Sequence, residues 1–233
     1  RLLSTTREFT VSTKTQVAQA KEVRRNFALH ALNGALFQFA RGMIDPSLVL
    51  TTWFVGRLTS SNLLLGLVVP LGQAGWFLPQ VFASALVQRM ERKKPVYLTA
   101  AVIRVIIWAS LAVMVWVIDE PTVLLLGFFM LYAIAQLAAG PAGLAFFDVV
   151  AKTVPAQRRG SLFATRMFAG GILALGASWI VNIVLDHPNL PFPHDIALLL
   201  TLFTVMLVPA FATFLTVREP PGASIAERVG IRR

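Results

Sequence analysis

The chain has 233 residues, of which 56% are hydrophobic and only 14% charged, and its formal net charge is +10. Soluble domains average roughly 25% charged residues, so this composition excludes an ordinary soluble protein and predicts an integral membrane protein. The absence of cysteine excludes disulfides, thiol catalysis and cysteine-bound metals. Nucleic acid is not an expected partner, because the basic residues lie at the edges of apolar runs rather than along one helix face.

Six long apolar runs follow a polar N-terminal segment, residues 1–26, which we expect to be a cytoplasmic tail. Each run can cross a hydrocarbon core about 30 Å thick, which requires roughly 20 helical residues. We therefore predict an all-α membrane protein with a bundle of six transmembrane helices over residues 27–217 and a cytoplasmic linker over 218–233. The predicted spans are 27–56, 61–87, 96–118, 121–147, 161–185 and 193–217.

The tail has no signal-peptide core, and the chain does not begin with methionine, so we expect a fragment of a longer protein.

Every second loop between the apolar runs is rich in basic residues. They lie before the first run and after the second, fourth and sixth runs, whereas the other loops are sparse in lysine and arginine. By the positive-inside rule, both termini and both basic loops are cytoplasmic, and we expect a multi-pass protein of the plasma (inner) membrane. The residues that carry this pattern are Arg24, Arg25, Arg89, Arg92, Lys93, Lys94, Lys152, Arg158, Arg159, Arg218, Arg228, Arg232 and Arg233.

The first span contains two ionisable residues, Arg41 and Asp45, which are four apart and so share one helix face. Ionisable side chains at membrane depth are costly unless they face protein or water, so by default they indicate function. Two interpretations stay open: a buried ion pair that only orients helices, or contact with a substrate or a proton. Gln38 on the same face, Gln73 in the second span and Gln136 in the fourth are candidate hydrogen-bonding partners in a cavity.

The remaining spans give weaker signals. Arg104 in the third span could reach the membrane edge, pair with Asp148 or join the cavity. The small residues Gly171, Ala174 and Ser178 predict tight helix contact for the fifth span, and the sixth is expected to face lipid.

Signatures of enzymes are missing from the sequence. There is no phosphate-binding loop ending in Lys-Ser/Thr and no Gly-x-Ser-x-Gly elbow. The three histidines are too scattered to predict a metal site. We expect no metal, no cofactor and no enzymatic activity, and a function in moving a solute.

Three segments resemble the N-terminal half of a major facilitator superfamily transporter. The loop 84–94 is similar to the family signature Gly-x-Leu-Ala-Asp-Arg-x-Gly-Arg-Arg/Lys: Arg89, Arg92 and Lys93 match its basic positions, while Ser84, Gln88 and Glu91 replace its glycines and aspartate. The loop 154–160 is similar to the Pro-x-x-x-Arg-Gly connector, and the ending 218–221 resembles the usual exit from the sixth helix.

The resemblance implies a secondary active transporter of a small solute that works by alternating access. In that family two six-helix bundles rock around a central site lined by the first and fourth helices of each half. The implied partners are the solute, the lipid bilayer, a coupling proton or other ion, and a second, C-terminal six-helix half. Arg89, Arg92 and Lys93 would belong to the cytoplasmic gate. The alternatives are a non-transporting receptor or assembly factor on the same fold, and a membrane-embedded enzyme.

Overall fold

The computed structural model describes the backbone of residues 2–220 and the side chains of residues 19–220 apart from Pro46. The described chain is all-helical. Its elements are α1 (Leu2–Gly42), a π-helix (Pro46–Val55) continued by a helical turn (Gly56–Leu58), α2 (Asn62–Arg89), α3 (Lys94–Val117), α4 (Pro121–Thr153), α5 (Ala156–Leu185) and α6 (His194–Leu215). Most of the expected linker, residues 221–233, lies outside the described residues.

Five of the helices, α2 to α6, are long and apolar enough to cross a membrane. The longest, α4, has 33 residues. At 1.5 Å per residue it is about 50 Å long, which exceeds a hydrocarbon core of about 30 Å, so it extends beyond the membrane. This explains why α4 continues past the predicted limit of the fourth span.

The first apolar run is not one continuous helix. The helix α1 begins in the expected tail, at Leu2, and ends at Gly42, and a second helical segment begins at Pro46. Proline has no backbone N–H, so a regular helical ladder cannot continue through this position. The sequence predicts a kink here, from Pro46 beside Asp45, and the structure shows a complete interruption of the helix.

The helices form a bundle in which each packs on particular neighbours. The helix α1 lies between α5 and α6, α3 lies between α6 and α4, and α2 covers α4 and the π-helix. Apolar and aromatic side chains fill the space between them. At the centre Tyr132 stacks on Phe128 at 5.3 Å, and Trp108 lies edge-on between Tyr132 and Phe203.

Glycines allow two of the helix pairs to approach closely. A Cβ added at Gly140 of α4 would lie 2.8 Å from the carbonyl oxygen of Trp76 on α2. A Cβ at Gly170 of α5 would lie 2.7 Å from Cγ of Gln38 on α1. Real side chains do not reach such distances, so both positions require glycine for the observed packing.

Large apolar side chains remain exposed along α2 and α5. Phe82 is 82% exposed and Leu63 79%, and on α5 Phe168 is 74% and Trp179 69% exposed. A soluble monomer rarely exposes such patches, so these faces meet lipid or another bundle. The sixth span does not face lipid all round, because one side of α6 is buried against α1 and α3.

Side-chain caps define several helix ends. The carboxylate of Glu120 accepts a hydrogen bond from the Val123 backbone N–H at 2.7 Å and caps α4. This hydrogen bond lowers the pKa of the Glu120 carboxyl below its ordinary value.

Candidate functional site

The interruption of the first span lies where sequence analysis placed the two buried charges. The helix α1 closes with hydrogen bonds from Met43 N to Ala40 O (3.0 Å) and from Ile44 N to Arg41 O (3.1 Å). The π-helix opens with the Asp45 carboxylate, whose Oδ1 accepts from the backbone N–H groups of Ser47 (3.0 Å) and Leu48 (3.2 Å). Discontinuous membrane helices of this kind form the binding sites of many transporters.

Each of the two charges is matched to a helix end rather than to the other charge. Arg41 lies in the last turn of α1, where the helix carries partial negative charge. Asp45 is the N-cap of the π-helix, where the partial charge is positive. Within the described part of the chain no ion pair joins the two side chains. The interpretation as a simple ion pair therefore does not describe this site.

Residues of α4 face the interruption. The ring of Phe54 in the π-helix lies 5.3 Å from that of Phe128 on α4, and Phe128 stacks on the ring of Tyr132, whose hydroxyl faces α2. A Cβ at Gly72 of α2 would meet that hydroxyl and would lie 3.3 Å from Nε2 of Gln136, so the two polar groups lie side by side. Tyr132 and Gln136 therefore lie together where α4 meets α2, and the π-helix that begins after Asp45 packs on the same helix α4.

The other two glutamines are not part of this region. The side chain of Gln38 is half-buried and lies against Gly170 of α5. Gln73 is exposed on α2 and makes no side-chain hydrogen bond to any described residue. Both sit on neighbouring surfaces rather than at the interruption.

A further arginine, Arg166 of α5, was missed by the sequence analysis. Its guanidinium donates hydrogen bonds to the His30 carbonyl and to Asn33 Oδ1 (3.0 Å), and it lies 4.6 Å from the centre of the Phe146 ring. It fills the junction of α1, α4 and α5. An arginine inside an apolar run was the available signal.

Of the three alternatives that the sequence left open for Arg104, pairing with Asp148 does not occur among the described residues. Asp148 instead forms an ion pair with Lys152, one turn along α4, with 2.8 Å between Oδ2 and Nζ. The Arg104 guanidinium is buried between the rings of Phe37 (5.6 Å) and Phe211 (5.3 Å). It forms no hydrogen bond within the described residues, and its Nε is a buried donor without a partner.

The loop motif divides into one buried and two exposed residues. Arg89 and Arg92 are exposed. The Lys93 side chain is buried and donates to the carbonyl groups of Val87 and Met90 at the end of α2. Only Lys93 has a fixed structural role in this arrangement.

Glu219, which follows α6, binds the same loop. Its carboxylate accepts from the backbone N–H groups of Lys93 (2.8 Å) and Lys94 (3.0 Å) and from Nζ of Lys152 (3.1 Å). Near it, Arg25 donates to the Thr216 carbonyl at 2.8 Å. The start of the first apolar run and the loops after α2, α4 and α6 therefore meet at one end of the bundle, which we call the basic end.

At the interruption Arg41 is exposed and Asp45 is half-buried. A surface groove of about 330 Å³ lies elsewhere, between α3 and α4, and includes no residue of the broken span. Its lining contains no charged side chain. Among the described residues no group of three potential metal ligands occurs.

Fold and composition together make this chain an all-α, multi-pass membrane protein. No protein-family model matches it, and no match was found among the curated proteins or the solved structures. Its function is therefore argued from the geometry alone.

Proposed function

We propose that the chain is a six-helix half of a secondary active transporter of the major facilitator type, which moves a small solute by alternating access. The observation that carries this proposal is the broken first span, with Arg41 and Asp45 at the two facing helix ends. Unpaired backbone and charged groups at membrane depth are tolerated where they line a water-filled path. In the proposed topology the broken run counts as one span, which gives six in the plasma membrane.

The exposed surfaces of the bundle support a second half as partner. The helices α2 and α5 are less covered than α3, α4 and α6. They lie on either side of the α1–α4 surface that carries the candidate site. A second bundle packed on α2 and α5 would enclose the site and leave it open to one side at a time.

The basic end fits a cytoplasmic location by the positive-inside rule. In the proposal both described ends of the bundle, near Arg25 and Glu219, are then cytoplasmic. The loop that contains Lys93 would move with the bundle when the cytoplasmic side opens.

The test uses two substitutions at Asp45 in the natural full-length protein, reconstituted into vesicles. The readout is uptake of labelled succinate, glucose and tetraphenylphosphonium under an imposed proton or sodium gradient. Asp45→Asn removes the charge but keeps an N-cap of nearly equal quality, whereas Asp45→Ala removes both. We expect Asp45→Asn to reduce gradient-driven flux at least about tenfold without lowering the unfolding temperature.

Asp45→Ala should in addition destabilise the protein by about 1 kcal/mol, because the cap is lost. Undiminished, gradient-coupled flux in Asp45→Asn would assign Asp45 to capping alone. If the unmodified protein moves none of the three probes, the proposed function is wrong.

A further inference from the structure

We infer that the transported solute carries an anionic group, a carboxylate or a phosphate, which Arg41 binds. This inference rests on the proposed transport function and adds the substrate class. It follows from the pairing of charges in the membrane-embedded segments: the acidic side chains already have partners, whereas several arginines have no acidic partner.

The acidic side chains near the membrane are already engaged. Asp195 accepts from Arg57 at 3.0 Å at the end of the bundle opposite the basic end. Asp148 and Glu219 both form ion pairs with Lys152 at the basic end. None of these three carboxylates is available to neutralise a cation in the middle of the bundle.

Asp45 lies deeper, but its carboxylate is directed to backbone groups. Its Oδ1 accepts two hydrogen bonds from the start of the π-helix, and its charge faces the positive end of that helix. It therefore does not take up the hydrogen-bonding capacity of a neighbouring guanidinium.

Three arginines lie within the apolar runs without an acidic partner among the described residues: Arg41, Arg104 and Arg166. The one acidic residue counted with them is Asp45, so these three positive charges and one negative charge sum to +2. Asp195 is not counted, because it is paired with Arg57 at the end of the bundle. Cations at membrane depth without counter-charges are costly. A positive field of this kind attracts an anion and disfavours a cation.

The three arginines differ in what they can touch. Arg104 is enclosed by two phenylalanine rings, so it contributes to the field but cannot reach a solute. Arg166 already donates to two acceptors on α1. Arg41 is exposed at the interruption, and its guanidinium has five N–H donors in a planar arrangement that matches a carboxylate or phosphate.

Two neutral polar groups, the Tyr132 hydroxyl and the Gln136 amide, lie side by side on α4, the helix on which the π-helix packs. Tyr132 is only 1% exposed, so of the two only the half-buried Gln136 amide can donate to an oxyanion or to a hydroxyl of the solute. On α5, Arg166 lies one turn from Gly170, which contacts Gln38. Arg166 therefore lies at the contact of α1 and α5, at the level of His30 and Asn33, between the interruption and the basic end.

The experiment compares charge classes of solute and charge variants of the protein. The full-length protein in vesicles is assayed with labelled succinate and glycerol 3-phosphate as anions, glucose as a neutral probe and tetraphenylphosphonium as a cation. We expect gradient-driven flux of at least one anion, the two anions separating a carboxylate from a phosphate preference, and no flux of the cation.

Variants at Arg41 then test the contact. Arg41→Gln should raise the KM for the transported anion about tenfold, whereas Arg41→Lys, which keeps the charge but not the bidentate geometry, should raise it less. The matched control is Arg24→Gln, an exposed arginine of α1 at the basic end. Unfolding temperatures of all three variants establish that they remain folded.

Flux of glucose or tetraphenylphosphonium without flux of either anion overturns the inference and leaves the transport proposal standing. Absence of flux for all four probes overturns both. An unchanged KM in Arg41→Gln, with an anion still transported, overturns the assignment of Arg41 as the binding residue.

Discussion

Glu219 connects parts of the chain that are far apart in sequence. Its side chain is only 1% exposed, and its carboxylate caps the start of α3 while it pairs with Lys152 of α4. A carboxylate at a helix N-terminus is stabilised both by the free N–H groups and by the helix dipole. Glu219 therefore fixes the segment after α6 against the two loops of the basic end.

We predict that Glu219→Gln lowers the free energy of unfolding by about 1–3 kcal/mol, because the half-buried Lys152 ammonium loses one of its two carboxylates and one backbone N–H of Lys93 or Lys94 loses its acceptor. The amide keeps the size of the side chain but replaces one acceptor oxygen with an NH2 donor. The measurement is thermal or denaturant unfolding of the purified protein in detergent.

Glu91→Gln is the matched control for this substitution, since Glu91 is exposed in the neighbouring loop and its side chain forms no described hydrogen bond. We expect a change within about 0.5 kcal/mol. Equal effects of the two substitutions would show that Glu219 contributes only as a surface charge.

At the scale of the helices, close contact depends on which glycines face a neighbour. Gly140 faces the backbone of α2, whereas Gly171 on α5 has no atom within 4 Å of an added Cβ. The two glycines lie in similar apolar helices, so they form a natural pair for comparison.

Gly140→Ala is predicted to destabilise the protein by about 1–3 kcal/mol, because the new methyl group would displace α2 from α4. Gly171→Ala should be neutral or stabilising by up to about 1 kcal/mol, since alanine is the better helix former and the space is open. Unfolding of both variants in the same detergent measures the difference. Similar loss of stability in both would mean that α2 and α4 do not approach as closely as described.

The helices also show which features of the fold could be predicted from the sequence. Hydropathy predicted all five continuous membrane helices, because an apolar run of that length has no other stable environment. It did not predict the interruption after Gly42, since an average over the run does not detect three residues that leave the helix. The face of α5 that packs on the bundle is not the one expected. Gly171 and Ser178 of the expected face are exposed, whereas the neighbouring Gly170 and Ala177 are buried.

The candidate site was predicted in part for the same reason. Arg41 and Asp45 stand out as charges in an apolar run, but their spacing suggested a pair that the broken helix separates. The contacts of Arg104 and Arg166 could not be predicted from the sequence, because their neighbours lie on other helices. A sequence shows that a charge is buried, whereas its partner depends on tertiary packing.

At the scale of the whole molecule, the loops divide between two ends of the bundle. The loops after α2 and α4 and the segment after α6 meet around Glu219. Arg57 and Asp195 pair at the opposite end. This arrangement requires that each helix from α2 to α6 crosses the full bundle, and that the broken first run crosses it once.

Cysteine labelling tests this crossing pattern, because the chain itself contains no cysteine. Single cysteines replace exposed residues: Lys21, Arg92 and Arg158 toward the basic end, and Ser60 and Asp186 at the opposite end. With a membrane-impermeant maleimide on intact cells we expect labelling of Ser60→Cys and Asp186→Cys only, if the basic end is cytoplasmic as we propose. After permeabilisation the other three should also react.

The comparison of Lys21→Cys with Ser60→Cys is the most informative pair, since only the broken run separates the two positions. If both react from the same side, α1 and the π-helix do not cross the membrane together, and Arg41 and Asp45 lie at an interface rather than at membrane depth. That result would remove the physical basis for a transport site there, because charges in contact with interfacial water need no compensation. Labelling from opposite sides places the interruption inside the bilayer, where two helix ends and two charges require either protein or a solute to satisfy them.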